Sequence, residues 1–175
     1  MTQVEHFSLG FYFHALTKML RQPRIFFSEF PQDAGIKKPL GFLLVSSLIF
    51  AGASLMSHLP SNPLVMGGVF FINAVGMPLI AASIGFLVMI AIMGRRVTFP
   101  QFFSIYALSA GVTLLASWIP FFIWLTEPWK WWLIGTGMVN GFGFSRVQVL
   151  VIISVSVGMM FLLFWWVLPM TASLR

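Results

Sequence analysis

The chain has 175 residues, of which 59% are hydrophobic and 8% are charged, whereas charged residues make up about a quarter of an average soluble domain. A soluble domain of this size could not hide so much apolar surface, so the composition excludes a water-soluble fold. The net charge of +6 comes from a few basic residues that flank apolar runs. Orientation signals and headgroup contacts belong there, so the charge does not indicate nucleic-acid binding. The absence of cysteine excludes disulfides, Cys-bound zinc and iron–sulfur clusters within the chain.

The N-terminal segment, residues 1–38, is predicted to be amphipathic and to lie at the cytoplasmic membrane surface. Its apolar and mostly aromatic residues alternate with Lys18, Arg21 and Arg24, a pattern that suits a helix lying in the interface. Pro23 predicts a break between two helical pieces. A cytoplasmic helix packed on the protein's own spans is the alternative, and the sequence leaves both open.

The remainder, residues 39–175, is predicted to form an all-α, polytopic bundle of about five transmembrane helices. Residues 39–94 contain no Asp, Glu, Lys or Arg, and two more charge-free runs follow. A spanning helix needs about 20 apolar residues, so the first run is long enough for two spans. The predicted spans are 39–57, 64–93, 102–125, 127–144 and 147–168.

The fourth span rests on a cap signal. Thr126 is predicted to be an N-cap, with Glu127 in the first turn and Pro128 close behind. The fifteen residues between Lys130 and Arg146 amount to about 22 Å of helix, which is less than the hydrocarbon thickness of about 30 Å. A re-entrant or interfacial segment is therefore the alternative.

Charges and tryptophans together predict the orientation. With five spans, eight of the ten basic residues fall on one side, while Lys130 and Arg175 fall on the other. The positive-inside rule then places the N-terminus in the cytoplasm and the C-terminus on the opposite side. All seven tryptophans fall at the predicted outer interface, where this side chain is enriched. We expect the membrane to be the bacterial inner membrane.

Catalytic and ligating side chains are not found within the predicted spans. The acidic residues lie outside the predicted hydrocarbon, and no two share a helix face within a span, as proton transfer or metal binding would need. The histidines do not form a haem or metal ligand set. We therefore predict no catalytic residue, no cofactor and no metal. The residues considered are Glu5, Glu29, Asp33, Glu127, His6, His14 and His58.

Four arginines are candidate contacts for lipid or for a partner protein. Arg21 and Arg24 lie in the N-terminal segment, and Arg95 and Arg96 follow the second predicted span. At the inner interface a guanidinium attracts anionic headgroups, meets an acidic patch on a partner, or simply fixes the topology. The expected partners are membrane lipids and other membrane-protein subunits, with no nucleic acid.

Four further residues are candidates for helix packing. Asn73 and Asn140 are mid-span amides, which in lipid need a hydrogen-bond partner and should therefore face other helices. Gly137 and Gly141 form a small-xxx-small pair that lets helix backbones approach closely. This pair is the best candidate in the sequence for contact with another subunit.

Three passages resemble the Yip-domain family, small membrane proteins of roughly five spans named for their interaction with Ypt/Rab GTPases. Residues 20–27 resemble the family's Pro-x-x-Phe-Phe approach to the first span, and residues 94–107 its passage into the third. Residues 132–148 resemble its tryptophan and small-residue span with the glycine–x-Ser turn that follows. The long soluble N-terminal region of eukaryotic members has no counterpart, so we expect a minimal, prokaryotic-like version.

Three functions are compatible with these features. The first is a non-enzymatic membrane scaffold or organising factor that acts through lipid and protein contacts, as the resemblance implies. The second is an accessory transmembrane subunit of a larger transporter or electron-transfer complex. The third, a small transporter or lipid-handling enzyme, would need mid-membrane ionisable residues, and the predicted spans have none.

Overall fold

The computed structural model of the chain describes residues 7–31, 35–58 and 61–172. The described part is helical without strands, so the predicted all-α class is confirmed. Short connections join consecutive helices. The helices are α1 (Leu9–Arg21), α2 (Pro23–Glu29), α3 (Lys37–His58), α4 (Pro63–Met93), α5 (Phe99–Ser117), α6 (Ile123–Phe142) and α7 (Arg146–Ala172).

Four of these helices, α3, α4, α5 and α7, are long and apolar enough to cross a membrane among the described residues. This confirms the predicted membrane-spanning character. Helix α6 has 20 residues, or about 30 Å of length, but it carries both Glu127 and Lys130 and is not among the four helices that are apolar enough to span. Whether α6 crosses the membrane therefore stays a prediction.

The start of α6 differs from the prediction. Its N-cap is Phe122, so Thr126 is the fourth residue of the helix, and Pro128 lies inside it. The Thr126 hydroxyl lies 3.1 Å from Ser117 Oγ and 3.5 Å from the Ile123 carbonyl oxygen. Because this hydroxyl is directed at Ser117 and the preceding turn, it does not cap a later amide, and the predicted N-cap at Thr126 is wrong.

Neighbouring helices run antiparallel, as α5 and α6 illustrate. Near their connection Ser117 meets Thr126, and at the opposite end the rings of Phe102 and Phe142 stack with centroids 6.3 Å apart. The α4–α5 pair is similar, since the Phe86 and Phe99 rings lie 5.4 Å apart beside the connection. Helices α4 and α6 therefore both end at the end of the bundle where α5 begins.

Helix α5 is the centre of the bundle. Its residues from Phe102 to Thr113 are all buried. In its most apolar stretch of 18 residues 67% are buried, whereas the corresponding share is 17–33% in α3, α4 and α7. A small residue makes its closest approach possible. A Cβ at Gly111 would lie 2.7 Å from the Phe42 ring of α3, so any larger residue would push α3 away.

Pro23 divides the N-terminal segment as predicted. Helix α1 ends at Arg21, and Gln22 caps both helices with φ −144°, a conformation outside the helical region. Pro23 then occupies the first position of α2, where its missing N–H is not needed. Lys18 and Glu29 form an ion pair that ties the two helices together.

Helices α1 and α2 pack on the protein's own spans. The Tyr12 hydroxyl lies 3.2 Å from Ser46 Oγ of α3, and Phe26 and Phe27 are buried beneath α2. The opposite face stays apolar and uncovered, with Leu9 66% and Phe13 62% exposed. The packing that the alternative predicted is therefore present, and the exposed face retains the amphipathic character from which the interfacial position was predicted. The position of this segment in the interface or in the cytoplasm stays a prediction.

Candidate functional site

The two ends of the bundle differ in chemistry. We call the end where α3 and α7 begin and α4 ends the basic end, and the end that carries the α5–α6 connection the aromatic end. Of the basic residues that the structure describes, Lys130 belongs to the aromatic end. The others belong to the basic end: Lys18, Arg21, Arg24, Lys37, Lys38, Arg95, Arg96 and Arg146.

The four candidate arginines are all exposed at the basic end. Arg21 follows the exposed Leu20, 51% accessible, and Arg24 precedes the exposed Ile25, 43% accessible. Beyond α4, Arg96 Nε donates a hydrogen bond to the Met93 carbonyl oxygen at 3.3 Å, which orders the start of its side chain. The arrangement offers cationic groups beside apolar ones, as a lipid headgroup region requires.

A small cavity of about 180 Å³ opens at the same end, between α1, α2 and the start of α3. His14, Lys18 and Lys38 contribute its nitrogen groups, and Glu29 contributes a carboxylate paired with Lys18. Lys38 Nζ lies 5.5 Å from the centre of the Phe11 ring, a cation–π distance. The N-terminal segment thus brings additional cationic groups to the basic end.

Gly137 and Gly141 face helices of their own chain. A Cβ at Gly137 would lie 2.6 Å from Ile105 Cγ2 of α5, and one at Gly141 would lie 3.4 Å from the Phe27 carbonyl oxygen of α2. The surface that this pair offers for close approach is therefore occupied by α5 and α2. It is not open to another subunit, contrary to the hypothesis drawn from the sequence.

The two amides behave differently from each other. Asn140 is exposed, and its Nδ2 donates to the Thr136 carbonyl oxygen at 2.8 Å within α6, so the predicted interhelical bond of Asn140 is replaced by an intrahelical one. Asn73 is also exposed, and it lines a larger cavity at the aromatic end.

This larger cavity has a volume of about 400 Å³ and lies between α4, α5, α6 and α7, with Phe50 of α3 at its edge. Its walls are mostly apolar. Sequence reasoning missed it, because its lining comes from five helices whose juxtaposition no local pattern encodes. The polar residues on its walls are Asn73, Tyr106, Thr113, Ser117, Glu127 and Lys130.

An ion pair lies where this cavity reaches the aromatic end. Lys130 Nζ is 2.6 Å from Glu127 Oε1, with the Lys130 side chain 24% and the Glu127 side chain 49% exposed. Lys130 Nζ also lies 5.6 Å from the centre of the Trp131 ring. The spacing of three residues on one helix brings the two charges together, and this spacing was the available sequence signal for the site.

The Tyr106 hydroxyl lies deep in the bundle, where Tyr106 lines the cavity. The side chain is buried, and its hydroxyl has no hydrogen-bond partner among the described residues. A buried polar group without a partner costs about 1–3 kcal/mol. This group therefore marks a position where a bound molecule or a water would gain a hydrogen bond.

The comparison with known families gives a single assignment. The model of the Yip1 domain matches residues 17–168, which is most of the chain. The chain belongs to the Yip1 domain family. This confirms the resemblance seen in the sequence. No curated protein and no solved structure matches the chain significantly.

Within this Yip1 domain the four arginines and the larger cavity lie inside the matched region, whereas Phe11 and His14 of the small cavity precede it. The match begins in α1 before Arg21 and ends in α7 beyond the last cavity residue, Met160. Among the described residues, no group of three His, Asp or Glu side chains comes together as metal ligands would. The Yip1 domain offers two kinds of candidate site, an exposed cationic surface and a mostly apolar cavity.

Proposed function

We propose that this Yip1-domain protein is a non-enzymatic integral membrane scaffold that organises the membrane through lipid and protein contacts of its basic end. The observation that carries the proposal is the exposure of Arg21, Arg24, Arg95 and Arg96 at one end of the bundle. Each Lys or Arg near an anionic leaflet contributes about 1 kcal/mol of attraction. Several together hold anionic headgroups or an acidic partner at this surface.

The basic end faces the cytoplasm of a bacterial inner membrane in this proposal. The positive-inside rule supports this orientation, since Lys130 is the one described basic residue at the aromatic end. The exposed Leu9 and Phe13 of α1 then reach toward the acyl chains of the same leaflet. The N-terminus lies in the cytoplasm and the C-terminus on the other side.

Lipid selectivity in nanodiscs tests the proposal. Spin-labelled phosphatidylglycerol and phosphatidylcholine report the lipids in contact with the purified full chain by electron paramagnetic resonance. We expect enrichment of phosphatidylglycerol, and we expect most of it to disappear when the four arginines are changed together to glutamine. The matched variant with four lysines keeps the charge and should keep the enrichment.

Accessibility of an N-terminal tag in intact cells establishes that the glutamine variant has kept its topology. Equal contact of both labelled lipids with the unmodified chain would overturn the proposal.

The second candidate is an accessory subunit of a larger membrane complex, and the exposed face of α7 is the surface at which another subunit would pack. Just 17% of the residues of α7 from Arg146 to Leu163 are buried. Leu150, Phe161 and Leu162 are each at least 59% exposed. Such a face is covered either by lipid or by another subunit. Affinity capture of the full chain from native membranes in mild detergent separates the two, since stoichiometric partners would favour the subunit and a detergent-stable monomer would favour the scaffold.

A further inference from the structure

The cavity at the aromatic end has the dimensions of one lipid chain. Its volume of about 400 Å³ falls in the range of about 300–1,000 Å³ for small-molecule sites. Its α5 wall extends from Tyr106 to Ser117, about 16 Å of helix. This depth is about half the hydrocarbon thickness of about 30 Å, so the cavity matches a chain from a single leaflet.

The mouth of the cavity lies at the level of lipid headgroups. Beside Glu127 and Lys130, the connection and the first turn of α6 present exposed aromatic side chains, with Phe121 83% and Trp124 81% accessible. Aromatic residues of this kind are enriched at the membrane–water interface. A molecule with its polar head at Glu127 and its tail in the cavity would therefore have the same depth and direction as a lipid of that leaflet.

The cavity also has a lateral opening. Asn73 is exposed on α4 and lines the cavity at the same time, so the cavity reaches the lipid-facing surface beside this residue. Met160 of α7 also lines the cavity. A chain can therefore enter from the bilayer beside Asn73 without passing through water.

Selectivity must come from the head of such a ligand. Lipid tails are as apolar as the cavity wall, so moving a chain from the bilayer into the protein provides no hydrophobic gain. Glu127 and Lys130 supply one negative and one positive charge. The half-exposed carboxylate can accept hydrogen bonds from an ammonium, and the Lys130 ammonium has further N–H groups for a phosphate.

We propose that this cavity binds one single-chain zwitterionic amphiphile of the lysophosphatidylethanolamine class. Its phosphate lies at Lys130, its ammonium at Glu127, and its chain lies along the walls formed by Ala74, Ala110 and Leu114. An anionic head would gain attraction to Lys130 but meet repulsion from Glu127, so it binds less well. This site is separate from the basic end and does not depend on the scaffold role.

Native mass spectrometry of the full chain tests the head preference. The detergent-purified protein is incubated with oleoyl-lysophosphatidylethanolamine and oleoyl-lysophosphatidylglycerol at equal concentration. We expect one bound molecule per chain and roughly a tenfold preference for the ethanolamine lipid, equivalent to one decade in Kd. Equal retention of the two lipids, or retention of neither, would overturn the proposal.

Charge variants test the role of the ion pair. Glu127→Gln leaves Lys130 unopposed and should shift the preference toward the glycerol lipid. Lys130→Gln leaves the carboxylate unopposed and should shift it further toward the ethanolamine lipid. The exchange variant E127K/K130E retains both charges and should retain the preference. The proposal fails if both single variants show the ratio of the unmodified chain.

Steric variants test the chain site. Ala110→Leu fills the cavity from α5 and should abolish retention of the ethanolamine lipid. The matched change Ala91→Leu, on an exposed position of α4, should leave retention unchanged. Ala74→Leu fills the same cavity from α4, so it serves if the α5 variant does not fold. Retention by both cavity variants would show that the chain binds elsewhere.

Photo-crosslinking locates the chain in the unmodified protein. Lysophosphatidylethanolamine with a diazirine in its acyl chain is irradiated with the full chain, and the labelled peptides are identified by mass spectrometry. We expect labels on Met77, Ala110 and Leu114, and we expect unlabelled lipid to compete them away. Labels spread over the exposed face of α7 without competition would indicate annular lipid and overturn the site.

Discussion

Gly85 of α4 lies directly against the hydroxyl of Tyr106 of α5. A Cβ at position 85 would lie 2.5 Å from that oxygen and 3.2 Å from the Phe102 ring. Because Gly85 has no side chain, α4 and α5 can approach each other closely at the deep end of the cavity. The same absence leaves the space into which the Tyr106 hydroxyl extends toward α4.

Gly85→Ala is expected to destabilise the protein by about 1–3 kcal/mol, because the added methyl group must displace a buried ring in a packed interior. Tyr106→Phe in the same background should recover part of this loss, since it removes the oxygen nearest to the methyl group. Thermal unfolding in detergent measures both effects. Gly76→Ala, on the same helix with nothing within 4 Å, is the control, and equal unfolding temperatures for the two alanine variants would contradict the close contact.

Tyr106→Phe alone is expected to leave stability unchanged or to raise it. The hydroxyl is buried without a partner among the described residues, so its removal breaks no hydrogen bond and removes a desolvation penalty of about 1–3 kcal/mol. Thermal unfolding of delipidated protein is the measurement. A clear fall in the unfolding temperature would show that a water or another group in the cavity bonds to this oxygen.

Gly137→Ala is expected to weaken the α5–α6 contact by about 1–3 kcal/mol, since its Cβ would lie 2.6 Å from Ile105 Cγ2. Gly158→Ala is the matched control, because it lies in α7 with nothing within 4 Å of its Cβ. At this position alanine has less conformational freedom than glycine in the unfolded chain, so the substitution should raise the free energy of unfolding by roughly 0.5–1 kcal/mol. Chemical unfolding in detergent should give a lower free energy of unfolding for Gly137→Ala and a higher one for Gly158→Ala. The same change in both variants would contradict the contact between Gly137 and Ile105.

Cysteine labelling tests whether α6 spans the membrane. The sequence contains no cysteine, so Lys130→Cys introduces a single reactive site in the first half of α6, and Arg146→Cys introduces one just beyond its end, at the start of α7. We expect a membrane-impermeant maleimide to label the first from outside intact cells and the second after the cells are opened. Labelling of both from one face would make α6 a re-entrant or interfacial helix.

The sequence predicted α3 and α4 well because charges and prolines mark their ends, whereas α7 continues through Pro169 to Ala172, four residues beyond the predicted end at 168. The predicted spans 39–57 and 64–93 agree with Lys37–His58 and Pro63–Met93 to within two residues. These markers change hydropathy sharply at the membrane boundary. The chemistry of the boundary was therefore enough to place these helices.

The α5–α6 connection could not be found in the same way. Helix α5 ends at Ser117 and α6 begins at Ile123, although the third span was predicted to continue to Leu125. The connecting residues 118–122 carry no charged side chain, so hydropathy does not distinguish this turn from the helices on either side. The turn depends on backbone conformation, with Phe121 at φ 69° in the left-handed region that non-glycine residues seldom adopt.

The two sites were predictable to different extents. The four exposed arginines follow from their positions beside apolar runs. The cavity does not, because Tyr106, Asn73 and Met160 lie on three helices and acquire a shared role through packing alone. Local periodicity contains no information about which small residues on neighbouring helices leave space between them.

The central position of α5 also constrains how the protein is made. Phe42 and Ser46 of α3 lie against Gly111 of α5, so α3 and α4 leave the ribosome before the helix that will cover them exists. During that interval α1 is already available to contact the Ser46 hydroxyl through Tyr12. Early docking of the N-terminal helix would thus shield a polar group of the nascent chain until synthesis has passed the fifth helix.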